Sequence, residues 1–430
     1  MSDVQFVKYS ATNEARIYKK PKIEGDRQRP INQVLHGTWL GVLDVAQDWY
    51  FVRTAGEDGW IHKDDTSDHM GLKVFFVDVG QGDAVLIEVG DIRILVDGGP
   101  NSHFKNYLTK WQFSYVIAKN EPIHIDYVFI SHFDADHYEG LIDIFSDTRF
   151  TFGTVYHNGI ARFIDNKTLR PAEYNTHIGI KVKSGGKLYL TTMFDSIDEL
   201  KALREKGGFS ETFNNFAMAI INAHTDGRIQ NFNRASHTTT DIVLTTEPLP
   251  FTIEFLGPVP IPVDGTLAYR WFGDEAPTIN GHSLVLKVTY GQSRMLLGGD
   301  LNSRAEDWLM DHYGGNNPFE VEVAKSCHHG SSDFEVEFMK RVSPFATVIS
   351  SGDNESHAHP RADAIGCAGR YSRGIRPKVF STELARSINS SGDILFGMIN
   401  MRSNGTDIYM SQMKEAAGGA DIWDSYTVIE

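Results

Sequence analysis

The stretch Ser131-His132-Phe133-Asp134-Ala135-Asp136-His137-Tyr138-Glu139-Gly140 constrains this chain more than any other. The apolar run before it, Ile125-Asp126-Tyr127-Val128-Phe129-Ile130, reads as a buried strand. The strand ends in His-x-Asp-x-Asp-His. That places His132, Asp134, Asp136 and His137 on one tight turn at the carboxyl end of a sheet. Imidazole and carboxylate together suit a hydrolytic divalent metal such as zinc or manganese. A structural zinc site more often uses cysteine, and Cys327 and Cys367 lie far from the cluster in sequence. A solvated polar loop with chance His and Asp is the plain alternative. It loses weight because later segments supply the ligands this turn lacks.

A chain of 430 residues is long enough for a large core and a smaller domain. No run of about 18 apolar residues occurs, so no membrane span is expected. The start, Met1-Ser2-Asp3-Val4-Gln5-Phe6-Val7-Lys8, does not read as a secretory signal. Two cysteines make no disulfide framework, which predicts reduced thiols and a cytoplasmic location. The net charge of −15 argues against an open, non-specific nucleic-acid surface, but not against a phosphate-bearing substrate.

Residues 1–66 have their own character. Arg16-Ile17-Tyr18, Gly41 to Val45, Trp49 to Arg53 and Gly59 to His62 are short β-type runs separated by turns. Asp64 to Asp68 is a polar linker candidate. From Leu72 onward, strands are expected at Lys73–Val79, Ala84–Val89 and Ile92–Asp97. Helices are expected around Phe104–Ala118 and His137–Phe145. Near-continuous apolar strands interleaved with helices mean a sheet buried by helices. Residues 150–250 are less regular, with a helix near Glu211–Ala223, and read as an insertion framing the substrate. Closing strands are expected near Ile394–Met401 and Asp407–Ser411.

Phe76-Val77-Asp78-Val79-Gly80-Gln81-Gly82-Asp83-Ala84, then Leu95-Val96-Asp97-Gly98-Gly99 and the His132 turn, resemble the metallo-β-lactamase superfamily, and within it the ComEC-like branch. Asp48-Trp49-Tyr50-Phe51-Val52 followed by Gly59-Trp60-Ile61 resembles a bacterial SH3-like domain. The resemblances imply an α/β fold: a four-layer αβ/βα metallo-β-lactamase sandwich over residues 70–430, preceded by a small all-β SH3-like barrel over 1–66. Most superfamily members carry His-x-His-x-Asp-His. Here Asp134 stands at the second His, which leaves zinc against manganese, and occupancy of the first metal site, open.

The resemblance assigns the remaining ligands. Asn280-Gly281-His282-Ser283 offers His282. Met295 to Asp300 ends a strand with the carboxylate of a bridging aspartate, Asp300. Lys325-Ser326-Cys327-His328-His329-Gly330-Ser331 offers one metal ligand, with His328 preferred, and one histidine facing substrate. The implied cofactor is two divalent ions, zinc first and manganese second. His132, Asp134 and His282 would hold one. Asp136, His137 and His328 would hold the other, with Asp300 between them. Asp136, His329 and His359 are the catalytic candidates; His359 follows Ser351-Gly352-Asp353-Asn354. Asp78 and Asp97 are candidates for orienting the histidines, and Asp83 is either structural or functional. Arg370, Arg373, Arg376 and Lys378 are the local candidate for phosphate steering.

This set implies a metal-dependent hydrolase cleaving phosphodiesters by a metal-activated hydroxide, most directly a nuclease. The expected partners are a phosphodiester substrate such as DNA and a protein bound by the SH3-like module, with no membrane. Two readings stay open beside it. One is a small-substrate hydrolase, such as a cyclic-nucleotide phosphodiesterase or phosphocholine esterase. The other is a non-catalytic sensor or adaptor stabilised by metal. No Gly-x4-Gly-Lys-Ser/Thr loop is present, which speaks against nucleotide-driven work.

Overall fold

The computed structural model describes residues 4–9, 14–22, 27–352, 356–383, 398–414 and 422–429. Two sheets face each other across an apolar core. The larger has nine strands, in the order Ile229–Arg234, Phe150–His157, Ile123–Ile130, Ile92–Val96, Val85–Val89, Leu72–Phe76, Ile399–Ser403, Ile408–Met413 and Trp423–Thr427. The smaller has seven: Ile242–Leu244, Phe251–Gly257, Val285–Tyr290, Ser293–Leu297, Val323–Lys325, Ala346–Ile349 and Lys378–Ser381.

Strand side chains alternate between faces, so a strand covered on both sides must be apolar throughout. Leu72, Val74, Phe76, Val85, Ile87, Ile94 and Phe129 enter the core between the sheets, where they meet Leu286, Val288, Met295, Leu297 and Val348. Their neighbours Phe75, Leu86, Leu95 and Val128 point the other way, under the helices Ala135–Ser146 and Glu211–Thr225. Val285, Leu296 and Ala324 do the same beneath Ser303–Tyr313 and Val336–Val342. Phe129 stacks on Tyr156 at 5.4 Å and tilts against Phe255 of the opposite sheet at 5.9 Å. Truncating such a residue to Ala costs about 3–5 kcal/mol.

Three expectations need correction. Phe150–His157 and Ile229–Arg234 extend the main sheet, so residues 150–250 are not simply an insertion. Phe150, Phe152, Val155 and Phe232 are buried with Phe213, Phe216 and Ile220, which ties these strands into the helix-covered core. Lys181–Ser184 and Lys187–Leu190 leave it for a separate four-stranded sheet with Thr266–Arg270 and Ile261–Val263, and Ile242–Leu244 joins the seven-stranded sheet. The expected helix at Phe104–Ala118 is broken into His103–Tyr107, a π-helical turn Leu108–Gln112 and Ser114–Ala118. The break falls at buried Phe113, whose backbone leaves the helical region at φ −113° and ψ 18°. The polar run at Asp64–Asp68 is a short 3-10 turn, Lys63–Asp65, and a strand, Thr66–Ser67, that pairs with Val4–Val7. The last strands lie at Ile399–Ser403 and Ile408–Met413; residues 394–397 of the expected strand are outside the described residues.

The amino-terminal region is all-β. Five antiparallel strands, Gly59–His62, Trp49–Arg53, Trp39–Ala46, Val4–Val7 and Thr66–Ser67, form one sheet. Glu14–Ile17 pairs with Asn32–Leu35. Val7, Ile17, Val34, Leu40, Val52 and Ile61 make its small core. It is docked on the nine-stranded sheet. Gln33 Oε1 accepts from the amides of Ile422 (2.7 Å) and Trp423 (3.1 Å), and His36 packs 4.7 Å from the Tyr409 ring.

Candidate metal centre

Parallel strands bring their carboxyl ends to one edge of the sandwich. On the larger sheet, Ile92–Val96 leads to Asp97, and its parallel neighbour Ile123–Ile130 leads to Ser131 and His132. On the smaller, Ser293–Leu297, Val323–Lys325 and Ala346–Ile349 run parallel and lead to Asp300, His328–His329 and Ser350. The helix Ala135–Ser146 starts at this edge, with Asp136 and His137 in its first turn. Its amide dipoles favour the Asp136 carboxylate there.

One ligand atom each from Asp136, His137, Asp300 and His329 lies within 4.8 Å of the others. His137 Nε2 is 3.1 Å from Asp300 Oδ1. His329 Nε2 is 3.2 Å from Asp136 Oδ2 and 3.4 Å from Asp300 Oδ2. The inward-facing His137 Nε2, His329 Nε2 and Asp300 Oδ1 are buried without hydrogen-bond partners. Most buried polar atoms in folded proteins are paired, so three unpaired ones converging on one point stand out. Two imidazoles and two carboxylates aimed at one point fit a divalent metal ion.

The outer nitrogens are held. His137 Nδ1 donates to Asp97 Oδ2 at 2.9 Å, and His329 Nδ1 donates to the Ser350 carbonyl at 3.0 Å. Both contacts fix the ring so that Nε2 faces inward. Asp97 also accepts from the Ser131 amide (2.7 Å) and hydroxyl (2.6 Å). His328 and His329 have φ of 49° and 53°, a left-handed pair of non-glycine residues that costs strain and turns the two rings toward the edge. Gly82, at φ 149°, brings the Gly80–Asp83 turn against the Asp136 carbonyl, where a Cβ would collide.

The charges are interlocked. Burial opposes ionisation of Asp300, but His329 and His137 outweigh it and hold the carboxyl well below its usual range. Burial likewise opposes a charged His137, yet Asp300, Asp97 and Asp136 raise its pKa. Behind the rings lies a second acidic group, Asp83, Asp97 and His137. Here Lys325, buried beneath the centre, forms an ion pair with Asp83. Lys325 leads the charges that overcome Asp83's burial and take its pKa down to about 2.

The residues expected from sequence fall into three places. Asp136, His137, Asp300 and His329 form the four-donor group. His132 and His328 border it. His132 Nε2 is buried without a hydrogen bond, and His328 Nε2 is 3.8 Å from Asp300 Oδ2, so His329 and not His328 is the member of the pair in the group. His359 stands beyond, 5.8 Å from the His328 ring, with Nδ1 3.1 Å from Gln81 Nε2. The third place holds Asp134 and His282, which the structure keeps out of the four-donor group. Asp134 is ion-paired with Arg162. His282 Nε2 donates to the Arg270 carbonyl at 2.7 Å, and its ring is stacked by Tyr269 and Phe272.

Asp97 orients a histidine, whereas Asp78 accepts from the Gly80 amide within its own turn. Asp353 and Asn354 are outside the described residues. In the proposed basic patch, Arg373 is engaged by Glu320, Glu322 and the Val321 and Ser343 carbonyls, so it holds the fold together. Sequence reasoning assigned no role to Lys325 or Arg162. The isolated Lys325 in an apolar strand end, Val323-Ala324-Lys325, was the available signal for a buried charge; nothing marked Arg162.

The sequence model of the metallo-beta-lactamase superfamily matches residues 77–348, which include strands of both sheets and every residue of the four-donor group. The chain belongs to the metallo-beta-lactamase superfamily. It is therefore a metal-dependent hydrolase by family, and the His/Asp group lies where this superfamily fold implies divalent ions. Competence protein ComA of Neisseria gonorrhoeae is 40% identical over 120 residues, 28% of this chain and 16% of that protein. The chain thus matches only a small part of that relative's length. Among solved structures, the metallo-beta-lactamase fold protein YhfI of Bacillus subtilis is 13% identical, with 74% of this chain and 98% of that one covered and a TM-score of 0.33. Igni18, a metallo hydrolase from Ignicoccus hospitalis, is 13% identical, with 75% and 100% covered and a TM-score of 0.33. Among the described residues, no helix is long and apolar enough to cross a membrane.

Proposed function

We propose that this superfamily member hydrolyses phosphodiesters, with nucleic acid as its substrate class. The observation that carries the reading is the group of Asp136, His137, Asp300 and His329, with unpartnered donor atoms at the sheet edge and two further imidazoles beside it. A divalent ion held there would polarise a phosphoryl oxygen and make water a nucleophile near neutral pH. The chain's own residues do the rest. Asp97 and the Ser350 carbonyl hold the two ligand imidazoles in one orientation. Asp300, between His137 and His329, fixes their separation. His359, kept in place by Gln81, is suited to give a proton to the departing oxygen. The partial likeness to a competence protein supports DNA as the first substrate to try.

The net charge of −15 favours a second reading, a small diester such as a cyclic nucleotide. The amino-terminal all-β region, read as an SH3-like module, would bind a protein or position the substrate. The test is a turnover screen of duplex and single-stranded DNA, RNA, cyclic nucleotides and bis-p-nitrophenyl phosphate, with zinc or manganese and with chelator. Chelator-sensitive cleavage of DNA or RNA supports the nuclease. Turnover confined to small diesters promotes the second reading. No turnover of any diester defeats both.

A further inference from the structure

We propose that this centre takes one divalent ion, and that the Arg162 guanidinium supplies the second positive charge beside it. The proposal rests on the metal-dependent reading above and deepens it. A second ion would need His132, Asp134 and His282, and the ligand atoms of these three do not converge within 4.8 Å of one another. Both Asp134 oxygens are occupied. Oδ1 is ion-paired with Arg162 Nη1, and Oδ2 accepts from the Asn280 amide at 2.8 Å once that amide is oriented by its neighbours. Asn280 is fixed in turn by donating to the Ala276 carbonyl at 3.1 Å. His282 Nε2 donates to the Arg270 carbonyl at 2.7 Å, its ring is stacked by Tyr269 and Phe272, and its unpartnered Nδ1 joins no group of converging His and Asp ligand atoms. That leaves His132 and His328, and among the described residues neither belongs to a group of three or more converging His and Asp ligand atoms.

Arg162 takes over the charge. A guanidinium keeps its proton at any working pH and presents a planar fork that matches phosphate oxygens. Its side chain is about one third exposed, and only Nη1 of its fork is engaged by Asp134. His132 Nε2 is 4.0 Å from Asp134 Oδ2, which puts this pair next to the metal group. A tetrahedral anion can then touch the ion with one oxygen and Arg162 with another. The pairing selects an anionic phosphoryl group over a neutral ester.

The test starts from chelator-stripped full-length chain, titrated with zinc and with manganese by calorimetry and checked by elemental analysis. One ion per chain is expected. Two would overturn the proposal, and none would overturn it together with the metal-dependent reading. Asp134→Asn should keep one ion at wild-type affinity, because Asp134 binds Arg162 and not metal; loss of that ion would also overturn it. Inorganic phosphate is then titrated into the metal-loaded chain. Arg162→Gln should weaken phosphate binding about tenfold at unchanged metal content, as expected for one charge-assisted contact, and Arg162→Lys should recover part of it. Unchanged phosphate affinity in Arg162→Gln would remove its assigned role. One ion with Arg162-dependent phosphate binding, but no diester turnover, would uphold this inference and defeat the proposed substrate class.

Discussion

His137 donates Nδ1–H to Asp97 Oδ2 at 2.9 Å, and the same carboxylate accepts both the amide and the hydroxyl of Ser131. One buried aspartate therefore ties the end of strand Ile123–Ile130 to the first turn of the next helix, and the tie decides where His137 Nε2 points. Replacing Asp97 by Asn keeps the size but sets an amide donor against one of these donors. Metal affinity should fall about 10- to 100-fold, the usual effect of losing a partner behind a ligand. Competition with a chromogenic chelator measures it, with circular dichroism as the check on folding. Wild-type affinity in a folded Asp97→Asn would refute the orienting role.

The two adjacent histidines should separate cleanly. His329 belongs to the four-donor group, whereas His328 is 3.8 Å from Asp300 at its border. His329→Gln and Asp300→Asn should abolish the rise in melting temperature on adding zinc or manganese. They should also lower turnover by about three orders of magnitude, or ~4 kcal/mol of transition-state stabilisation. His328→Gln should keep the thermal shift. Loss of metal in His328→Gln with retention in His329→Gln would reverse the assignment.

The sequence made the sandwich legible because its strands are buried on both faces and read as unbroken apolar runs. It made the His132 turn legible because four ligand-type side chains stand on one turn. It did not separate His328 from His329, since both follow the same strand and only the left-handed turn decides which ring swings inward. It also did not place His282 outside the group. That depends on the Arg270 carbonyl and on the Tyr269 and Phe272 rings, which topology brings together. The strands Phe150–His157 and Ile229–Arg234 were read as part of an insertion because an edge extension is defined by its neighbours and not by its own pattern.

The docking of the amino-terminal region should depend on pH through His36. Burial, with the charge of Arg402 adding, lowers its pKa to about 4; its Nδ1 donates to the Lys8 carbonyl, and Asp407 opposes the shift. In the unfolded chain the value returns to about 6.5. Between these two values the unfolded state binds a proton that the folded state refuses. The stability is therefore complete above pH ~6.5 and falls as pH drops toward ~4, by about 3 kcal/mol at most. Melting temperatures from pH 7.5 to 4.5 should fall less steeply in His36→Phe than in wild type. Hydrogen exchange should show the loss first at Trp423–Thr427, which Gln33 anchors. Parallel pH slopes in the two proteins would rule out His36 as the linked group.

Substrate size is open to a salt series. Arg373 is locked between Glu320 and Glu322, so the basic patch named from sequence reduces to Arg370, Arg376 and Lys378. A chain of net charge −15 gains little from long-range attraction of a polyanion, and nucleic acid must be held by contacts of this local kind. Each phosphate contact releases counterions worth ~0.9 in the slope of log affinity against log salt for duplex DNA. The triple variant to Gln should flatten that slope by about 2 to 3 while leaving the rate on bis-p-nitrophenyl phosphate within about twofold, because that substrate reaches only the metal edge. Both rates are measured from 50 to 300 mM salt in wild type and variant. An unchanged DNA slope would exclude the patch. A fall in small-diester rate alongside it would mean that these side chains support the active-site fold, and nucleic-acid contact would then have to be sought elsewhere on the molecule.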